Sequence, residues 1–263
     1  MKYWALILGA SSGFGRATAL ELAGNGYDII GIHLDRKATM PQVQDTIDRI
    51  REKGREALFY NINAADEKAM KRVLDNVEDR FRSGDEDNFI KILMHSLAFG
   101  ALRLFIAPRE EDMIGRNQLQ MTLEVMANTL VYWTQEVVKR GLMAKGGRIF
   151  AMTSSGDQRV MPYYGAVSAA KAALESHVRQ LAIELAPYEI TVNAIKAGVT
   201  DTPALRKIPG HEKIVEVALE RNPHGRLTQP EDIARAIAAL ADERLYWMTG
   251  NVINVDGGED ITV

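Results

Sequence analysis

Short apolar runs alternate along this chain with longer stretches in which apolar residues recur at helical spacing. Runs of the first kind are 2–8 (KYWALIL), 27–34 (YDIIGIHL), 57–62 (ALFYNI), 89–95 (FIKILMH), 146–152 (GGRIFAM), 190–195 (ITVNAI) and 251–255 (NVINV). Each has the length of a buried strand, and glycine or polar turn residues bound them. Between them, 16–23, 41–53, 66–82, 118–139 and 167–185 read as helices; Val43, Ile47 and Ile50, for example, form one apolar stripe among charges. Strands alternating with helices predict an α/β fold: a doubly wound parallel sheet of seven strands, with ligands at the carboxyl ends of the strands. With no repeat, low-complexity segment or linker, residues 1–263 are expected to form a single domain.

The first strand breaks into Gly9-Ala10-Ser11-Ser12-Gly13-Phe14-Gly15, and a helix follows at once. Strand, glycine turn and helix make a phosphate cradle. Gly9 turns the chain off the strand, Gly13 removes a Cβ that would block a pyrophosphate, and Gly15 lets the helix pack close. The free N–H groups of the helix start then face the anion. The second strand ends in His33-Leu34-Asp35-Arg36-Lys37, where such a fold meets the adenosine ribose. Arg36 and Lys37 favour a 2′-phosphate, while Asp35 suits a free 2′-OH or pairs with Arg36; the balance is read as NADPH, with NADH possible. Asn61, at the end of the third strand, suits adenine binding or ordinary turn chemistry equally. After the fourth strand, the small residues of Ser96-Leu97-Ala98-Phe99-Gly100 suit a backbone passing close to a ribose, and His95 reads as a strand-end histidine that holds this loop.

Composition narrows the field. The net charge of −3 gives no global field for nucleic acid or an anionic membrane. The absence of cysteine excludes disulfides, thiolate metal sites and a cysteine nucleophile, and is compatible with a reducing, cytoplasmic setting. No apolar run approaches the ~20 residues of a membrane span. The acidic stretch 83–88 lacks the alternation and closing Glu of a calcium loop, and no metal site is expected. The stripe of Leu119, Leu123, Met126, Leu130, Trp133 and Val137 in the long helix reads as core.

The residues able to do chemistry converge on the same crevice: Ser154 at the end of the fifth strand, Tyr163 or Tyr164 after Pro162, and Lys171 inside the helix that follows. A phenol there can hydrogen-bond a substrate oxygen as negative charge develops, and a nearby ammonium lowers its pKa from ~10 and holds a ribose. Equally open at this point is a tyrosine that packs and a lysine that caps the surface.

The glycine turn, the Tyr and Lys, Val192-Asn193-Ala194-Ile195 and the tail from Thr249 to Gly258 together resemble a short-chain dehydrogenase/reductase over nearly the whole chain. That resemblance implies a Rossmann-type fold, a nicotinamide cofactor and a homotetramer. The usual Tyr-x-x-x-Lys of the family is absent, because Val167 stands where its tyrosine would be. Tyr164 lies seven residues before Lys171, a spacing that resembles the divergent branch containing the enoyl-acyl-carrier-protein reductases of fatty-acid synthesis. His95-Ser96-Leu97-Ala98-Phe99 resembles the His-Ser-x-x-Phe segment of those enzymes, and Met126, with Asn128 nearby, falls where ketoreductases carry a proton-relay Asn. Residues 203–222 resemble their helical substrate lid.

The resemblance implies that Gly9, Ser11, Gly13, Phe14 and Gly15 hold pyrophosphate and adenosine, with Arg36 at the ribose. Asn61 and Ile62 would flank adenine, Ser96, Leu97 and Ala98 the ribose, Lys171 the nicotinamide ribose, and Thr200 and Thr202 the carboxamide and pyrophosphate. Tyr164, Lys171 and Ser154 would be catalytic. Arg206, Lys207 and Lys213 would meet an acidic acyl carrier protein bearing the acyl thioester. Leu97, Phe99, Leu102, Leu104, Phe105 and Ile106 suit an acyl chain or a core. A carbonyl or 3-ketoacyl reductase of the same family and a non-catalytic dinucleotide sensor are the alternatives.

Overall fold

In the computed structural model, which describes residues 1–83 and 86–262, seven parallel strands form one sheet in the order β3-β2-β1-β4-β5-β6-β7. They are β1 (Lys2–Leu8), β2 (Asp28–His33), β3 (Ala57–Asn61), β4 (Asn88–His95), β5 (Met143–Ser154), β6 (Thr191–Ala197) and β7 (Val252–Val255). Strands β1, β2, β4 and β6 are buried almost throughout, because helices cover both faces of a parallel sheet, and the continuous apolar runs of the sequence follow from this. The expectation of a Rossmann-type, doubly wound sheet is met. The order reverses between β1 and β4, so the crevice that such sheets use for ligands opens at their carboxyl ends, where Ser96 N donates to Leu8 O at 2.8 Å.

The helices are α1 (Gly13–Gly24), α2 (Met40–Glu52), α3 (Glu67–Arg82), α4 (Arg116–Leu123), α5 (Thr129–Lys139), α6 (Gly165–Glu184), α7 (His211–Arg221) and α8 (Pro230–Leu240). One apolar layer packs α3, α5 and α6 on the sheet around Trp4, Leu93, Trp133 and Leu174; the other packs α1 and α8 around Ile7, Leu22, Phe150 and Ile237. Trp133, expected to be packing, is fully buried with its indole N–H donating to Ala64 O at 2.9 Å. Helix α8 was not foreseen, although Pro230 at its start and the buried stripe Ile233, Ala234 and Ile237 carry its signal.

The helix expected over 118–139 is present but is not α-helical throughout. A π-helical segment, Glu124–Asn128, separates α4 from α5. Apolar spacing survives a single wide turn, so the side-chain pattern hides this backbone event, and such turns gather at functional sites. The acidic loop expected at 83–88 falls in part outside the described residues. Among the described residues, no helix is long and apolar enough to cross a membrane, and no cluster of His, Cys, Asp or Glu could hold a metal ion.

Candidate active site

The carboxyl ends of β4, β5 and β6 and the segment 200–221 enclose a cavity of about 470 Å³. Its apolar lining includes Leu97, Leu102, Met126, Met161, Ile208 and Ile214, and its polar lining includes Ser154, Tyr164, Lys171, Thr200 and Thr202. Helix α6 builds the reactive wall. Tyr164 is its N-cap residue, nine per cent exposed, and Lys171 lies two turns on, six per cent exposed, on the same side. Tyr163 differs sharply: its backbone is left-handed (φ 67°), it is 38% exposed, and it does not line the cavity. The phenol in the site is therefore Tyr164.

Gly156, on the turn after β5, makes room for that phenol. A Cβ there would stand 2.4 Å from Cε1 of Tyr164. Burial pushes the Tyr164 phenol above its ordinary range, the Ser154 hydroxyl facing it works in the opposite direction, and the Asp157 carboxylate reinforces the rise. The expected lowering of this phenol by Lys171 is not present. Lys171 Nζ instead donates to Met152 O at 2.7 Å, and Tyr164 keeps its proton through neutral pH. Burial lowers Lys171 itself to about 8, against a raising influence from Glu175. Ser154 accepts a hydrogen bond from Gly156 N at 3.1 Å, so it braces the turn beside the tyrosine.

Around the rest of the crevice, the glycine turn has the form of a dinucleotide cradle. A Cβ on Gly9 would meet Ser96 O at 2.4 Å, and one on Gly15 would meet Gly9 O at 2.1 Å, so strand and helix come as close as the sequence requires. Gly13 is left-handed (φ 50°), with Thr202 opposite at 3.5 Å from its would-be Cβ. Ser12, the N-cap of α1, makes no side-chain cap bond, which leaves the first N–H groups of the helix to an anion. These residues fit a nicotinamide dinucleotide.

Phe14, Ser96, Leu97, Ala98, Thr200 and Thr202 line the cavity as expected, whereas Gly9, Ser11, Gly13, Arg36, Asn61 and Ile62 lie outside its lining. The Asn61 amide is committed to turn chemistry: it accepts from Asp35 N and donates to Asp35 O, each at 3.0 Å. Ile62 N donates to His33 O, and its side chain packs on the core. Burial opposes ionisation of Asp35, but the hydroxyls of Thr39 and Ser11 and the His33 ring hold its carboxyl below the usual range. Its pairing is with His33 Nδ1 at 3.0 Å, not with Arg36, and Arg36 and Lys37 are both exposed.

Other expectations are corrected by packing. His95 is fully buried with Nε2 2.8 Å from Thr129 Oγ1, so it fixes the start of α5 to the sheet rather than the loop after β4. Burial, with Lys171 nearby, lowers it to about 3, which keeps the ring neutral. On the π-helical segment Met126 faces the cavity, while Asn128 donates to Glu124 and accepts contact from His177 at 3.2 Å, away from the site. The proposed apolar wall divides: Leu97 and Leu102 line the cavity, but Phe99, Phe105 and Ile106 are 57%, 51% and 84% exposed. Within 203–222, Leu205–Lys207 form a short 3-10 turn and α7 covers His211–Arg221. Arg206 pairs with Asp201 at 2.7 Å and Lys213 with Glu216 at 2.8 Å, so of the cations expected for a carrier, these two are engaged locally.

A protein-family model described as Enoyl-(Acyl carrier protein) reductase matches residues 9–259. The chain belongs to the short-chain dehydrogenase/reductase family. As a member of it, the protein is an oxidoreductase, and its nucleotide is a pyridine dinucleotide. It is 31% identical over 258 residues to a 1-cyclohexenylcarbonyl-CoA reductase of Streptomyces collinus, covering 97% of this chain and 86% of the relative. It is 29% identical to a 3-oxoacyl-acyl-carrier-protein reductase of Thermotoga maritima, covering 96% of each. Its fold is like that of the NADH-type enoyl-acyl-carrier-protein reductase of Aquifex aeolicus, with a TM-score of 0.82, 24% identity, and 99% and 97% of the two chains covered. Within this short-chain dehydrogenase/reductase, the residues that sequence reasoning missed are Gly156 and a set of buried charges, Asp157, Glu175 and Lys196, near the wall that carries Tyr164 and Lys171. Nothing in their local spacing marks them except Glu175, one turn beyond Lys171 on α6.

Proposed function

We propose that this short-chain dehydrogenase/reductase reduces the double bond of a trans-2-enoyl thioester, with NADPH as the preferred reductant. The observation that carries this reading is the placement of Tyr164, seven residues before Lys171, as the cavity phenol, while Tyr163 stands outside. The similarity to a reductase named for an enoyl thioester, 1-cyclohexenylcarbonyl-CoA, supports it.

When bound, the nicotinamide supplies the hydride that adds at C3 of the substrate. The chain's own residues do the rest. The glycine turn and the open start of α1 hold the pyrophosphate, with Thr200 and Thr202 across from them. Lys171, fixed by Met152 O, would hold the nicotinamide ribose with its remaining N–H groups. Tyr164, protonated at neutral pH, donates its O–H to the thioester oxygen as negative charge gathers there, and one donor of this kind is worth ~10²–10³-fold in rate. Ser154 orients the phenol, and the apolar wall of Leu97, Leu102, Met126, Met161 and Ile208 takes the acyl chain and excludes water. Arg36 and Lys37, exposed and without an ion pair among the described residues, favour a 2′-phosphate, whereas Asp35 is turned to His33. In the same reading the protein works in the cytoplasm as a homotetramer, on substrate carried by acyl carrier protein, with the exposed Lys207 at the cavity mouth toward the carrier.

The second reading is a 3-ketoacyl or other carbonyl reductase. It is favoured by Ser154 facing Tyr164, an arrangement able to hold a ketone oxygen between two hydroxyls, and by similarity to a 3-oxoacyl reductase. The test is oxidation of NADPH and NADH with an enoyl and a 3-ketoacyl thioester of matched chain length, each on carrier protein and on coenzyme A. Turnover of the ketone alone would move the assignment to the second reading.

A further inference from the structure

Lys171 is buried, and its one direct hydrogen-bond acceptor among the described residues is a neutral carbonyl, Met152 O at 2.7 Å. A buried ammonium with only a neutral partner is costly to keep charged. The groups around it are specific. Glu175 lies four residues on along α6, on the same face and seven per cent exposed. Its Oε1 accepts from Thr153 Oγ1, on the end of β5, at 2.7 Å. Beneath, Lys196 on β6 pairs with Asp157 at 3.2 Å, with side chains six and three per cent exposed. Asp157 faces both Glu175 and Tyr164, and His95 on β4, the other titratable group near Lys171, is neutral.

We propose that Glu175 is a positioning residue for the active site: held by Thr153 one helical turn below Lys171, its carboxylate is the counter-charge that keeps Lys171 protonated and aimed at the nicotinamide ribose. Asp157 is already neutralised by Lys196, so the charge left for Lys171 is that of Glu175. The pair Asp157 and Lys196 has a second role in this arrangement. Burial raises Glu175, the bond from Thr153 lowers it, Asp157 raises it by its charge and by a hydrogen bond, and Lys196 lowers it, leaving the carboxyl above its ordinary range; the Lys196 charge thus works toward the ionised form. The charge on Lys171 therefore rests on a buried relay of side chains from β5, the turn after it, β6 and α6, of which Thr153 alone lines the cavity.

This inference rests on the reading of Lys171 as the ribose-holding residue, and the experiment separates the two. Affinity for NADPH is measured by the quenching or enhancement of its fluorescence from pH 6 to 10 (approximate limits set by the ordinary lysine range), alongside the pH profile of turnover. Lys171→Met is expected to lose affinity below about pH 8, where wild type carries the charge, and to lose the alkaline limb; if it does neither, the reading of Lys171 fails. Glu175→Gln keeps the shape and a bond with Thr153 but removes the charge. It is expected to move the alkaline limb of NADPH affinity and of kcat/KM down by about one pH unit or more, with near-normal affinity restored toward pH 6. Thr153→Val, which leaves Glu175 in place with a weaker hold on its ionised form, is expected to move the limb the same way by less, and Glu175→Asp to restore part of it. A purely structural Glu175 would lower affinity evenly across pH or lower only the melting temperature. Unmoved limbs in folded Glu175→Gln and Thr153→Val, with affinity lost in Lys171→Met, overturn this proposal alone.

Discussion

Replacing Gly156 by Ala tests whether catalysis depends on where the Tyr164 ring sits. Gly156 has ordinary backbone angles, so alanine adds no conformational strain of its own; the whole perturbation is the new methyl. That methyl would stand 2.4 Å from Cε1 and 3.1 Å from Cδ1 of Tyr164. Carbon atoms rest at about 3.5–4.0 Å, so the ring or the turn must give by roughly 1 Å. Overpacking of this kind costs ~1–3 kcal/mol of stability, which lowers the melting temperature by several degrees and leaves a folded enzyme. A reacting group misplaced by ~1 Å costs about 10²-fold in rate. The expected result is therefore a fall of about 10² in kcat/KM for the preferred thioester, or roughly 2.7 kcal/mol of transition-state stabilisation. NADPH affinity, read by fluorescence, is expected to stay within a few-fold, because the glycine turn and Lys171 are not displaced. A double-mutant cycle makes the cause explicit: in a Tyr164→Phe background, whose hydroxyl is already gone, Gly156→Ala is expected to cost little further. Full turnover in Gly156→Ala, or an equal added loss in the Tyr164→Phe background, would refute the reasoning that Gly156 acts through the phenol.

Four further outcomes follow from the same geometry. Tyr164→Phe is expected to lower turnover by ~10²–10⁴ with cofactor affinity retained, while Tyr163→Phe, exposed and outside the cavity, leaves turnover within a few-fold; steady-state kinetics of the two variants decide it. Lys171 is charged below its pKa of about 8 and neutral above it, so kcat/KM for wild type falls as pH rises through that value. Arg36→Ala raises the KM for NADPH by about tenfold and that for NADH by little, since a single exposed charge-assisted bond to phosphate is lost. Gly9→Ala, with φ at 94° and Ser96 O 2.4 Å from the new Cβ, pushes apart the β1 turn and the loop after β4, and a thermal melt is expected to show a large loss of stability together with loss of cofactor binding.

Much of the fold was legible because its signals are local. Buried parallel strands are continuous apolar runs, and the glycine turn announces itself by residues that no other geometry needs; a Cβ at Gly15 would collide with Gly9 O, and the sequence has none. Tyr164 could be preferred to Tyr163 only through a resemblance, and the structure supplies the physical reason, since one is a helix N-cap facing inward and the other a left-handed residue facing out. What was not legible depends on contacts distant in sequence. The amide of Asn61 is spent on Asp35, 26 residues away, and Thr153 meets Glu175 across 22. The π-helical turn at Glu124–Asn128 leaves the apolar period intact and changes only which residue, Met126 rather than Asn128, looks into the site.

That last exchange bears directly on the choice between the two reductase readings. A ketone reduction delivers a proton to the oxygen that stays as product hydroxyl, so a donor must be refilled at each turnover. An enoyl reduction needs the oxygen stabilised only while the enolate lasts, and the lasting proton arrives at C2 from Tyr164 or from water. In this cavity Met126, which packs in one apolar cluster with Tyr164, offers a thioether, a weak acceptor that cannot pass a proton, and the amide of Asn128 is tied to Glu124 and His177. Ser154 is the remaining hydroxyl beside the phenol, and it already accepts from Gly156 N. A site furnished this way is better suited to holding an oxygen's charge than to refilling a proton, and this supports the proposed enoyl reading over the ketone one.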